Sequence, residues 1–140
     1  LVEMIELAPE RLKERAFAGF TADQRRMSVA GIRFLAGSDY PNPCIAAGAS
    51  LLDELELLAE TGMSPLQVLR AATLGPAEFL GLEESLGSVA VGKLADLVLL
   101  DANPLQNVSN LRRIRWVIAN GRVLDRSEID RLRRAGTDGQ

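Results

Sequence analysis

At 140 residues, with 47% apolar and 25% charged content, the chain has the make-up of one soluble globular domain with a real core, which excludes a disordered or fibrous polypeptide. No run nears the roughly 20 apolar residues that a bilayer crossing requires, and a net charge of −3 with scattered basic residues leaves no footprint for a polyanion, so neither membrane nor nucleic acid is an expected partner. Histidine is absent, which removes the commonest general base, the commonest metal ligand and the Ser/His and Cys/His nucleophile pairs together.

Residues 1–18 read as helical, with Met4, Ile5, Ala8, Leu12 and Ala16 at helical spacing and Pro9 arguing for a break before a helix from about residue 10. Thr21-Ala-Asp-Gln24 has the form of a capping box and predicts a second helix over 22–30, which Gly31 ends. Residues 32–36 have the length and apolar density of a buried strand, and Gly37, Ser38 and Asp39 deliver one carboxylate where it stops. In parallel α/β folds that end of a strand is where chemistry is placed. The competing reading of Asp39 is a cap on the turn before Tyr40-Pro41. The single cysteine, Cys44, forms no internal disulfide; it reads as a small buried hydrophobe and fits a reducing compartment.

Ser50-Leu-Leu-Asp53 is a further start signal, Leu51, Leu55 and Leu58 make an apolar stripe that Gly62 ends, and Glu54, Glu56 and Glu60 fall on the solvated side. Ser64-Pro-Leu-Gln67 starts the next helix, with Pro where a missing N–H costs nothing, and predicts a run to about Leu74. Pro76 opens a short helix that Gly81 closes. From Leu86 the period becomes strand-like: a short strand over 88–91, a Gly92-Lys93 turn, and a stronger strand over 95–100 ending at Asp101, Asn103 and Pro104. Residues 113–119 alternate Ile114, Trp116 and Ile118 against Arg113, Arg115 and Val117, and Asn120-Gly121 predicts a hairpin into 122–124 because both positions need positive φ. Residues 126–135 read as a charged helix before a polar tail. Lys93 and Asp96 read as turn and sheet structure, and Arg112, Arg113 and Arg115 as a solvated strand face.

Three stretches together resemble the metal-dependent amidohydrolase superfamily, in its imidazolonepropionase-like and prolidase-like branch. Phe34-Leu-Ala-Gly-Ser-Asp39 is similar to the family's last barrel strand with its metal-site aspartate. The pair Leu55-Glu-Leu-Leu58 and Ala71-Ala-Thr-Leu-Gly-Pro-Ala77 is similar to the segment after it. Leu86-Gly-Ser-Val-Ala-Val-Gly-Lys-Leu-Ala-Asp-Leu-Val-Leu-Leu-Asp101, Asn103-Pro104 and Val117-Ile-Ala-Asn-Gly-Arg-Val123 are similar to its C-terminal β segment. Order and spacing over about 25–125 carry the match.

The resemblance implies an α/β fold: the C-terminal part of a TIM-type (β/α)8 barrel in 1–85, strands of an accessory β-sandwich in 86–125, and a terminal helix and tail in 126–140. It implies hydrolysis of C–N bonds in a small-molecule amide, cyclic amide or dipeptide-like substrate through a divalent metal of zinc type, in a cytoplasmic enzyme. Asp39 is then both metal ligand and the carboxylate that moves the proton of the attacking water to the leaving nitrogen. Tyr40 and Asn42, on the loop that leaves the catalytic end, become candidate substrate contacts, with loop packing as the other reading of each. The histidine ligands of the family would lie upstream of Leu1, in a missing N-terminal barrel portion, and the chain alone is expected to hold no catalytic metal. Leu52 stands where many relatives of the Gly-x-Ser-Leu-His-x-Glu-Leu type carry His. Open sheet edges and exposed apolar surface at 32–35 are expected to invite association, homo-oligomers included. The alternative from another class is a non-catalytic α/β module kept for binding or assembly.

Overall fold

The computed structural model describes residues 10–40, 45 and 48–137. Helix α1, Glu10–Val29, is continuous, so the capping box expected at Thr21 lies inside it and the two helices expected there are one. Capping side chains mark a terminus only where the preceding backbone leaves the helix, and the good helix formers before Thr21 keep it in. Its end is a complete Schellman turn: Gly31 N–H bonds to the Ser28 carbonyl at 3.0 Å and Ile32 N–H to the Met27 carbonyl at 3.1 Å. Gly31 holds φ 78°, which a side chain would strain.

Residues 32–39 correct the expectation of a strand buried on both faces. Phe34, Ala36 and Ser38 are half-buried while Arg33, Leu35, Gly37 and Asp39 are exposed, a period of two that covers one side only. The Ala36 N–H bonds to the Ala71 carbonyl at 2.9 Å, but no strand among the described residues pairs with the segment. A parallel strand takes its ladder from neighbours that arrive through crossovers, and the described residues supply none. Ile32 stays 53% and Leu35 44% exposed, as expected of that stretch.

Helix α2, Ala49–Glu60, starts after Gly48, one residue ahead of the expected Ser50 signal, and buries Leu55 and Leu58. Helix α3, Pro65–Ala72, opens on the expected capping box, with both reciprocal bonds between Ser64 and Gln67 formed. It ends two residues before Leu74, because Thr73 leaves helical geometry at φ −130° and ψ −84°. Helix α4 therefore begins at Leu74 rather than Pro76 and runs to Leu80, closed by left-handed Gly81. Leu58 and Val68 are the most deeply buried side chains of a core that also holds Leu55, Met63, Ala71 and Val108, with Phe34, Ala36 and Leu111 packed against it. Burial of Leu- and Val-sized groups at about 1.5–3 kcal/mol each makes this cluster the main stabilising element of the helical part.

No strand forms over 88–91: Val89 and Val91 are exposed in a loop. Strand β1 is Leu97–Leu100, shorter than the expected 95–100. After a 3-10 turn at Val108–Arg112, β2 (Ile114–Ala119) and β3 (Arg122–Leu124) complete one antiparallel sheet of order β1-β2-β3. Leu99 faces Trp116 and Ala119 faces Arg122, so the Asn120-Gly121 hairpin is formed as expected, with φ 49° and 74°. Helix α5, Arg126–Thr137, packs on β2 and β3 and buries Ile129. The described residues make one sheet, not the two layers of a sandwich. No helix among them is long and apolar enough to cross a membrane.

Candidate functional site

Asp39 stands at the end of segment 32–39 in the left-handed region, φ 55°, with its side chain exposed. Aspartate tolerates that conformation better than most residues because its short polar side chain bonds locally. Tyr40, the next residue, is 54% exposed. Asn42 and Cys44 lie outside the described residues, as do the first positions up to Pro9. Among the described residues no three Asp, Glu, Cys or His side chains come together as a metal cluster. A zinc-type site takes about three protein ligands, and Asp39 offers one, so the described residues by themselves do not fit a catalytic metal. The structure thus brings Asp39 and Tyr40 to the same turn, and among the described residues Asp39 belongs to no group of three such side chains.

A cavity of about 270 Å³ lies elsewhere among the described residues, between the end of α1, residues 31–34 and the α3–α4 pair, and neither Asp39 nor Tyr40 lines it. Arg33 and Glu78 meet at its wall, with Arg33 Nη1 donating to Glu78 Oε2 at 2.8 Å. This pair, 45 positions apart, left no signal in the sequence.

The Gly-Lys-Leu-Ala-Asp stretch is structural, as its sequence suggested. Lys93 Nζ donates to the carbonyls of Glu83 and Leu86 and, at 2.6 Å, to Ser88 Oγ, which ties the loop between α4 and β1 around one ammonium. Asp96 Oδ1 accepts the Asn120 N–H at 2.7 Å and so holds the hairpin turn.

The arginine cluster is only partly the solvated strand face expected of it. Arg113 and Arg115 are exposed, with Arg115 over the Trp116 ring at 5.4 Å from its centroid. Arg112 instead sits in the 3-10 turn and grips Glu56 through two parallel bonds, Nε to Oε1 and Nη2 to Oε2, each 2.8 Å, while Nη2 also reaches Asp53. The bonded guanidinium holds the Glu56 carboxyl below its ordinary range, and the two carboxylates hold Arg112 charged. Glu54, expected on the solvated side, is half-buried, and burial raises its carboxyl above its ordinary value.

Known proteins give this geometry its context. Residues 8–124 match the amidohydrolase family. The chain is 40% identical over 80 residues to an imidazolonepropionase of Symbiobacterium thermophilum, covering 56% of this chain and 19% of the relative. It is 46% identical over 55 residues to a 5'-deoxyadenosine deaminase of Methanobrevibacter smithii, covering 39% of this chain and 13% of the relative. Among solved structures, a Xaa-Pro dipeptidase with methionine bound in its active site superposes with TM-score 0.67 and 28% identity, over 75% of this chain and 25% of that one. The chain therefore spans a quarter or less of the length of each of these three. The family is one of TIM-type α/β barrels, and the helices and extended segment here are an α/β piece of that kind. A match that runs from α1 through the β2–β3 hairpin, together with the motifs it contains, makes this chain a member of the amidohydrolase superfamily, in its imidazolonepropionase-like and prolidase-like branch.

Proposed function

We propose that this chain supplies the last βα units and the sandwich strands of a cytoplasmic, metal-dependent hydrolase that cleaves C–N bonds in small amide, cyclic amide or dipeptide-like molecules. The observation that carries this reading is Asp39, held in a left-handed turn at the end of a segment whose alternate residues Phe34 and Ala36 pack on helices, as the outer face of a barrel strand does. In the intact enzyme Asp39 is the oxygen ligand from this chain and the acceptor that takes the proton of the attacking water and hands it to the leaving nitrogen. Tyr40 and Asn42 border substrate on the loop that follows. The metal, when bound, supplies the lowered water pKa, and imidazole ligands come from outside these 140 residues, which contain no histidine. On this division residues 1–85 complete the barrel, 86–125 join the sandwich and 126–140 end the chain. The exposed apolar residues Ile32 and Leu35 meet the remaining barrel or, in the separate chain, a second copy.

The lack of a three-ligand cluster around Asp39 among the described residues supports one other reading, a non-catalytic module used for binding or assembly. Zinc titration of the 140-residue chain and of the full reading frame, each with and without Asp39→Asn, separates them. The expected result is no stoichiometric zinc and no turnover in the short chain, and one tight metal in the full protein that Asp39→Asn weakens at least tenfold. A full protein that starts near Leu1, or an Asp39→Asn protein with unchanged metal and activity, overturns the catalytic reading.

A further inference from the structure

We propose that Asn120 is a site of spontaneous deamidation and that its contact with the Asp96 carboxylate sets the rate. The chain has five asparagines, and their neighbours decide which can react. Asn42 and Asn103 precede proline, which has no N–H to give up, and Asn107 and Asn110 precede Val108 and Ser109-flanked Leu111, whose side chains crowd the backbone nitrogen. Asn120 precedes Gly121, with no Cβ and nothing within 4 Å of where one would stand. Both residues of the pair are exposed.

The reaction uses only these two residues and water. The Gly121 nitrogen, having lost its proton to solvent, attacks the side-chain carbonyl carbon of Asn120. A C–N bond to the backbone forms as the bond to the side-chain NH2 breaks, and that group leaves as ammonia after taking a proton from water. Water then adds to either carbonyl of the five-membered imide and opens it to aspartate or isoaspartate, with no oxidation or reduction.

The folded hairpin holds this chemistry back in two ways. With φ 49° and 74° and Ala119 paired to Arg122, the turn is of the mirror-image type, and closing the imide requires rotation about the Asn120 Cα–C bond away from that geometry. Asp96, accepting the Asn120 N–H at 2.7 Å, resists the rotation from outside the hairpin, and its negative charge makes deprotonation of the next amide along harder. Reaction therefore proceeds from the locally opened turn. Its products keep the turn open: aspartate sets a second carboxylate near Asp96, and isoaspartate adds a carbon to the main chain of a two-residue loop. Since α5 packs on β2 and β3, the change loosens the end of the chain as well.

Peptide mapping by mass spectrometry of the 140-residue chain, incubated at pH 8 folded and in urea, tests this. Aspartate and isoaspartate are expected at position 120 ahead of the other four asparagines, at least tenfold faster in urea than in the folded chain. Asp96→Ala is expected to speed the folded reaction at least fivefold and to match wild type in urea, where the contact is absent. Lys93→Met, weakened in a different loop, is expected to keep the wild-type rate, which separates opening of the hairpin from general loss of stability. No product at Asn120, equal rates folded and in urea, an unaffected Asp96→Ala protein, or equal acceleration in Lys93→Met overturns the assignment.

Discussion

The carboxylate of Asp96 accepts the backbone N–H of Asn120 at 2.7 Å, joining the residue just before β1 to the first turn residue of the β2–β3 hairpin, 24 positions on. Asn120 carries φ 49°, so its amide points out of the ordinary ladder and needs an acceptor from elsewhere. A charge-assisted bond of this kind fixes both the turn and the approach of β1 to β2. Asp96→Ala is expected to cost about 1–1.5 kcal/mol, and Asp96→Asn about half of that because an acceptor remains. Urea unfolding of the two variants checks the order, and equal midpoints for all three proteins would remove Asp96 from the account of the hairpin.

Glu54 and Glu56 lie two residues apart on α2 and should respond to pH with opposite sign. Arg112 lowers the Glu56 carboxyl below its ordinary 4.5, so its contribution is full above that value and is lost as pH falls through the lowered folded pKa. Because the pair is partly exposed, Glu56→Gln is expected to cost only about 0.5 kcal/mol at pH 7. Burial raises Glu54, so its ionised form is a cost that is present above the raised folded pKa and vanishes below 4.5. Glu54→Gln is expected to stabilise by about 0.5 kcal/mol at pH 7. Thermal melts at pH 7 and at pH 3 test this: both variants should converge on wild type in acid.

Lys93 is a structural cation. Its ammonium satisfies two backbone carbonyls, of Glu83 and Leu86, and the Ser88 hydroxyl, in a loop that forms no strand. Lys93→Met keeps the apolar stem but orphans three acceptors, with an expected cost of about 2 kcal/mol. Lys93→Arg is expected to recover little, since a planar fork cannot replace a compact point charge in that cage. Proteolysis at low protease concentration should cut the Lys93→Met protein within 83–93 before it cuts elsewhere.

Gly87 is fixed twice over. It holds φ 82°, and an added Cβ would lie 2.7 Å from the Ala77 Cβ and 2.9 Å from the Leu74 Cα. Gly87→Ala therefore brings both backbone strain and overlap with α4, and an expected loss of roughly 2 kcal/mol or more in chemical unfolding. Gly121→Ala, which has positive φ but open space, should cost less and serves as the control for strain alone.

What the sequence determined by itself is local. The Ser64/Gln67 capping box, the Gly81 stop, the Asn120-Gly121 hairpin and the Gly31 ending of α1 are all formed, because each is decided by backbone angles and hydrogen bonds within a few residues. The family motifs were legible for the same reason, being short runs with fixed spacing. Tertiary structure decided the rest. Thr21 starts no helix because the residues before it stay helical, and residues 32–36 and 88–91 form no ladder because a strand exists only where another backbone comes alongside. The grip of Arg112 on Glu56, 56 positions away, and the meeting of Arg33, Glu78 and Arg70 around one cavity depend on how helices stack, which no periodicity records. Asp39 stands between the two: its place after an apolar run is written in the sequence, while the company a metal would require is a matter of distance in space.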